Sequence, residues 1–333
     1  MFSRILIERN IEDHPRVNFI REKFPKVPVK IIEKVDEVFG RVKKPYLQKR
    51  DDLQLFLGEK KGQLVKEAPN AYGTKGESHF YFIHAYNCIY ECEYCYLQGY
   101  FNSPDLVFFL NHEEIGQKIV ELYKESSEER IWFHAGEFSD SLAMSHLTGE
   151  LPYYFDLFKD LPKAKLELRT KSVNIKPLLE LEPRDNIVVT FSLSPEHRIK
   201  RTDLKTPSLK HRLEAIKTLA KHGYKIGIHL DPVIFEDDFT SAYQELLSQI
   251  RNVLPSEQLD YLSLGVVRFT KEVYHQVKKN YPSSDLHASE FQKTPEGLVR
   301  YPKPLRLAML HRLESLCYEE GIEKEKVYLC MED

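Results

Sequence analysis

Six short runs of β-branched and aromatic residues recur through the middle of the chain: HFYFIHAY (79–86), RIWFHAG (130–136), KLELRTK (165–171), IVVTFSLS (187–194), KIGIHLDPVI (225–234) and YLSLGVVRF (261–269). They read as strands. Between them lie segments of helical periodicity at 112–129, 208–223 and 240–254, with Ser208 placed as an N-cap and Gly223 as a C-terminal stop for the second. Strands that alternate with helices predict a parallel sheet, and six such units predict an α/β fold, an incomplete (β/α)6 barrel over 79–270. Such barrels carry their sites on loops at the C-terminal ends of the strands. Residues 1–78, charged and interrupted by Pro15, Pro25, Pro28 and Pro45, read as a mainly helical flanking region. Residues 271–333 read as a C-terminal extension holding EGLVRYPKPLR (296–306) and the helix-like LAMLHRLESLCYEEG.

Of five cysteines, Cys88, Cys92 and Cys95 fall within eight residues directly after the first predicted strand, while Cys317 and Cys330 lie near the C-terminus. An odd number in a long chain argues against a disulfide framework and towards metal binding or catalysis. Three thiolates at this spacing suit either of two metal centres. With His84 they make a Cys3His zinc site. Alone they hold a [4Fe–4S] cluster with one iron left open for a ligand. Three buried cysteines without metal are the bland alternative. The remaining strand ends carry Gly136, Glu137, Ser139 and Asp140, then Lys171, then Ser192 and Ser194, then His229 and Asp231. Each has an ordinary explanation, a helix cap by Ser139 and Asp140 or a solvated Lys171, but together they ring one barrel mouth.

The CxxxCxxC spacing, with an aromatic residue between the last two cysteines, resembles the signature of the radical S-adenosylmethionine (SAM) superfamily. There the open iron chelates the amino and carboxylate groups of SAM, and reductive cleavage releases a 5′-deoxyadenosyl radical. CEYCYLQGY, FSDS…HLTG, RTKSVNIKPLL, TFSLSPEHRIKR and GYKIG..LDPVI further resemble successive blocks of the spore photoproduct lyase family, over roughly residues 79–270. Members use the adenosyl radical on a thymine dimer in DNA. The resemblance implies that Cys88, Cys92 and Cys95 hold a [4Fe–4S] cluster, that Tyr94 and Tyr96 line the SAM site, and that Ser139, Lys171 and Ser192 contact SAM. Lys171 would pair its carboxylate and Ser192 its ribose. Gly136 with Glu137 resembles the GGE-like turn with which other radical SAM enzymes hold the SAM amino group, and Asp140, Ser194 and Asp231 complete the cofactor candidates. The chain departs from the family at Glu137, where the spore enzymes carry a hydrogen-donating cysteine. Tyr94, Tyr96, Cys317 or Cys330 would then have to supply the hydrogen, or the reaction differs.

Forty-eight Lys and Arg against 51 Asp and Glu leave a net charge of −3, so nucleic acid can be met only through a local patch. Arg198, Lys200, Arg201, Lys205, Lys210 and Arg212 form one basic run; Arg300, Lys303 and Arg306 form another beside Tyr301, which could support an extruded base. Either run could equally be a solvated face. In the spore enzymes a C-terminal hairpin enters the lesion, which assigns 296–306 that role. No apolar run approaches the roughly 18 residues of a membrane helix. MFSRILIERNIEDH lacks the features of a signal peptide, so a cytosolic protein is expected. With no second cluster motif, the electron would come from a flavodoxin or ferredoxin. The expected activity is that of a radical SAM lyase on DNA, against two rivals: a radical SAM enzyme with a non-nucleic-acid substrate, and a zinc-stabilised nucleic-acid-binding module.

Overall fold

The computed structural model describes residues 2–41, 46–47, 50–69, 76–288 and 290–332. In chain order the first segment supplies strands β1 (Arg4–Glu8), β2 (Val29–Ile32), β3 (Gln54–Gly58) and β4 (Val65–Glu67). Then come β5 (Ser78–Phe82), β6 (Ala85–Tyr86), β7 (Glu91–Cys92), β8 (Leu106–Phe109), β9 (Ile131–His134), β10 (Ala164–Thr170) and β11 (Ile187–Ser192). The last are β12 (Asp203–Leu204), β13 (Lys225–Val233), β14 (Leu259–Val266), β15 (Arg268–Thr270), β16 (Gln292–Lys293), β17 (Leu298–Arg300) and β18 (Val327–Leu329).

The six predicted strand runs become β5, β9, β10, β11, β13 and β14, adjacent and parallel in that order. β4 adds antiparallel at one edge and β18 parallel at the other, giving a curled, eight-stranded open barrel. Alternation divides each strand between two environments. Phe133, Leu166, Leu168, Val189, Phe191, Ile228 and Leu264 point outward into one core shared with the helices. At about 1.5–3 kcal/mol for each fully buried side chain, this layer dominates the fold's stability. The helix Leu209–His222 shows why it packs there: Leu209, Leu213, Ile216, Leu219 and Ala220 lie on one buried face, and Gly223 stops it in the left-handed region at φ 103°. Ser208 occupies the N-cap position but bonds His211 rather than a backbone amide.

The mainly helical reading of residues 1–78 is corrected. β1, β2 and β3 join β8 and β6 in a second sheet of order β2-β1-β3-β8-β6, parallel except for β6. The prolines misled because Pro15 starts a helix, Pro15–Lys23, instead of breaking one; its cap is His14, whose Nδ1 accepts from the Arg16 amide at 3.1 Å. The apolar runs RILIE and QLFLG around it were too short to register as a strand pattern.

The C-terminal expectation also shifts upstream. β16 and β17 form a hairpin turned at Gly297, antiparallel to β15, and the helix Lys303–Glu319 begins where 296–306 was expected to continue the hairpin.

Candidate active site at the barrel mouth

The cysteine loop spans the gap between the two sheets. After β5 the chain crosses to the second sheet through β6. Asn87 then turns it in the left-handed region at φ 61°, donating from Nδ2 to the carbonyls of Ser103 and Asp105 at 2.8 and 2.7 Å. β7 pairs with β12, setting Cys92 opposite Asp203, and the Cys95 amide bonds the Cys92 carbonyl. Burial pushes all three thiols up, Cys92 to about 12, so without a bound cation they stay protonated. Backbone amides already point at the sulfurs: Tyr90 N–H donates to Cys88 Sγ, and the Leu97 and Gln98 amides donate to Cys95.

These residues suit a cluster better than a single ion. In a zinc site, ligands about 2.3 Å from the metal stand within roughly 4 Å of each other. Among the described residues, the trio whose ligand atoms all lie within 4.8 Å of one another is His197, Glu236 and Asp238, not the three cysteines. Nor does His84 complete a zinc set: it is buried beside Phe82 and His112, its Nδ1 without a hydrogen-bond partner and its basicity lowered to about 4 by burial. The Cys3His reading is thereby corrected.

Lys171 stands at the end of β10 with its ammonium 4.9 Å over the Tyr94 ring, and it forms no hydrogen bond or ion pair among the described residues. Tyr94 donates its phenol hydrogen to Asp203, which also pairs with the fully buried Arg212 at 3.0 Å. Tyr94 is thus fixed as a platform under Lys171. Asp140 is saturated: one oxygen accepts from the Leu142 and Ala143 amides and the Thr170 hydroxyl, the other from the Lys171 amide at 2.8 Å. It positions Lys171 and closes the turn at 141–144, whereas the helix that follows, Ser145–Thr148, has Met144 at its N-cap, so the helix-cap reading is corrected. Gly136 is required by close approach, since a Cβ there would lie 2.7 Å from Ser141 Oγ and 2.9 Å from the Arg169 carbonyl. Tyr96 donates its hydroxyl to Glu137, to the backbone carbonyl and, at 3.1 Å, to the carboxylate. Burial raises the Glu137 carboxyl, opposed by Arg169 and the Tyr96 bond. Ser139 is half-buried on this loop, and Ser192 and Ser194 are buried at the end of β11. Asp231, on β13, pairs its carboxylate with Arg268, at 2.9 and 3.3 Å.

The inward-facing strand positions hold a polar network that the strand readings passed over. His79 Nδ1 meets His134 Nε2 at 3.0 Å, and His134 and Tyr261 both bond Glu167, which Arg169 also pairs. Burial would raise Glu167, but Arg169, His134 and these hydrogen bonds hold it well below the usual range. His229 bonds Ser263 and is driven down to about 3 by burial. Polar residues recurring two apart, His79 and Tyr81, Glu167 and Arg169, His229 and Asp231, were the available signal. Of the distant cysteines, Cys317 lies in the helical core, whereas Cys330 follows β18 and packs against Tyr81 inside the barrel.

Much of the basic character is neutralised. Arg198 is buried and pairs with Glu236 and Asp285; Arg201 pairs with the same two carboxylates. Lys200, 71% exposed, pairs with Glu196, and Lys205 with Glu91. Arg300 and Arg306 share Glu332. Tyr301 is only 2% exposed, its hydroxyl accepting from the Phe235 amide, so it is corrected as a base-stacking surface. Beside the mouth, a groove of about 930 Å³ is lined by Glu236, Asp237, Asp238, Asp285 and Glu290 against His197, Arg198 and Arg201.

Residues 6–302 match the family model described as spore photoproduct lyase. The chain is 26% identical to the spore photoproduct lyase of Bacillus subtilis over 324 residues, covering 93% of each. It is 24% identical to that of Clostridium acetobutylicum, covering 91% of this chain and 90% of the other. A solved spore photoproduct lyase double mutant with bound AdoMet and dinucleoside spore photoproduct superposes with a TM-score of 0.84 at 19% identity, over 99% of this chain and 98% of that one.

Proposed function

The chain belongs to the spore photoproduct lyase family, and from that premise we propose that it is a radical SAM enzyme acting on a thymine dimer or other modified base in DNA. The observation that carries this reading is the joint placement of Cys88, Cys92 and Cys95 beside the half-buried Lys171 ammonium, which has no hydrogen-bond or ion-pair partner among the described residues, at the barrel mouth. A [4Fe–4S] cluster on the three cysteines, when bound, supplies the electron that cleaves SAM to a 5′-deoxyadenosyl radical. A relative solved with AdoMet and dinucleoside spore photoproduct supports both the cofactor and the substrate class.

The remaining roles fall to this chain's own side chains. Lys171, held by Asp140 and carried on the Tyr94 ring, pairs the SAM carboxylate. The loop of Gly136, Glu137 and Ser139 faces the SAM amino group, and Ser192 and Ser194 face the ribose. Tyr96, tied to Glu137, borders the reacting centre. A carboxyl group cannot give up a hydrogen atom as a thiol does, so the hydrogen returns from Tyr96 or from Cys330, the cysteine inside the barrel. The electron comes from a cytosolic flavodoxin or ferredoxin; among the described residues no helix is long and apolar enough to cross a membrane.

A radical SAM enzyme with a non-nucleic-acid substrate is the second reading, favoured by Glu137 and by the acidic groove beside the mouth. Incubation of the reconstituted enzyme with SAM, reductant and DNA carrying spore photoproduct separates the two, read by mass spectrometry. Recovered thymine supports the DNA reading. Deoxyadenosine without thymine moves the substrate elsewhere.

A further inference from the structure

Arg50 reaches the cysteine loop from outside the barrel, and its side chain is only 3% exposed. Its guanidinium donates to three consecutive carbonyls of that loop: Nη1 to Cys88 at 3.0 Å, Nη2 to Ile89 at 2.9 Å and to Tyr90 at 2.7 Å. Those carbonyls belong to the first cysteine and the two residues after it. The rest of the group stands over the Tyr46 ring, 5.1 Å from its centroid, and Nε makes no hydrogen bond. Among the described residues, the carboxylate within ion-pair range is Glu91 at 3.8 Å, and Lys205 contacts the same oxygen at 2.8 Å. The guanidinium is therefore a buried cation whose charge is poorly compensated by the protein. Burying such a charge is costly unless something pairs with it.

We propose that Arg50 is a positioning residue for the cluster loop and a buried cation that eases reduction of the cluster. This rests on the reading that Cys88, Cys92 and Cys95 hold a [4Fe–4S] cluster. Three thiolates on an oxidised cluster leave one net negative charge, and accepting one electron makes two. The positive charge beside the loop stabilises the second state more than the first. The planar fork serves the other half of the role, since it spans carbonyls that a single ammonium cannot reach together. Freezing the loop backbone also fixes the direction in which the Cys88 thiol leaves it.

The two halves separate by substitution. Wild type is first reconstituted anaerobically and its iron and sulfide counted. Failure to hold four of each removes the cluster reading itself and leaves nothing for Arg50 to act on. With the cluster present, Arg50→Gln should shift the midpoint potential to more negative values, lowering the reduced-to-oxidised ratio at a fixed poise about tenfold, which is 59 mV for one electron. Arg50→Lys keeps the charge and should keep the potential, but lose iron to a chelator several-fold faster than wild type. The lysine variant carries the test alone if the glutamine variant does not fold. Unchanged potential in folded Arg50→Gln, or an unchanged chelation rate in Arg50→Lys, would overturn the proposal while leaving the cluster intact.

Discussion

Replacing Lys171 with methionine keeps the aliphatic stem and removes the ammonium. In the free protein that ammonium lies 4.9 Å over the Tyr94 ring and feels Asp203 at longer range, but has no carboxylate in hydrogen-bond or ion-pair contact among the described residues, and Asp203 keeps Arg212 as its partner. Its loss therefore leaves no counter-charge stranded, and a cation–π contact is worth only about 0.5–1 kcal/mol. Thermal stability should change little. For bound SAM the same substitution removes a charge-assisted hydrogen bond, worth about 1.5–3 kcal/mol. At 1.4 kcal/mol per tenfold, the dissociation constant should rise about 10- to 100-fold. Isothermal titration of SAM into anaerobically reconstituted protein reads this directly, with iron content as the control. A dissociation constant within twofold of wild type, at full iron content, would refute the assignment of Lys171 to the SAM carboxylate.

Three further outcomes are expected. Glu150 is buried with Oε2 unpartnered and its carboxyl raised by burial to about 7 from 4.5. The fold thus favours its neutral form. Stability from this group is present below about pH 4.5 and lost as pH rises to about 7, at most about 3 kcal/mol, so Glu150→Gln should stabilise the protein at pH 8 and not at pH 4.5 in denaturant titrations; equal effects at both would contradict it. Arg212→Met strips Asp203 of its buried partner and the Ser192 carbonyl of its donor, so urea unfolding should show a loss of about 3–5 kcal/mol, and a loss under 1 kcal/mol would show that the pair is not buried as described. Cys330→Ala should uncouple product from deoxyadenosine formed if the barrel thiol returns the hydrogen, whereas Cys317→Ala should not; equal ratios in the two variants would remove Cys330 from the reaction.

The barrel was legible because its strands are short, apolar and separated by amphipathic helices, and the cysteine loop sat after the first strand as parallel topology requires. The second sheet was not. β1 and β3 contribute five residues each and acquire their identity only by pairing with each other and with β8, a long-range event with no local periodicity. Charge runs misled for a similar reason. Arg198 stands in a basic stretch of sequence, yet its partners Glu236 and Asp285 lie 38 and 87 positions away, and Arg212 is neutralised by Asp203, the lone acid inside the stretch itself. Asp140 was seen as a ligand or a cap, and only the fold shows its four bonds. Arg50 offered no signal at all, because its three acceptors are backbone carbonyls some forty positions away.

The most direct measurement is anaerobic reconstitution with iron and sulfide followed by reduction in the presence of SAM, reading 5′-deoxyadenosine by mass spectrometry in wild type and in a variant with Cys88, Cys92 and Cys95 replaced by alanine. Four irons per chain with deoxyadenosine in wild type, and neither in the variant, is the expected result. One zinc per chain, or deoxyadenosine that persists without the three cysteines, would contradict it.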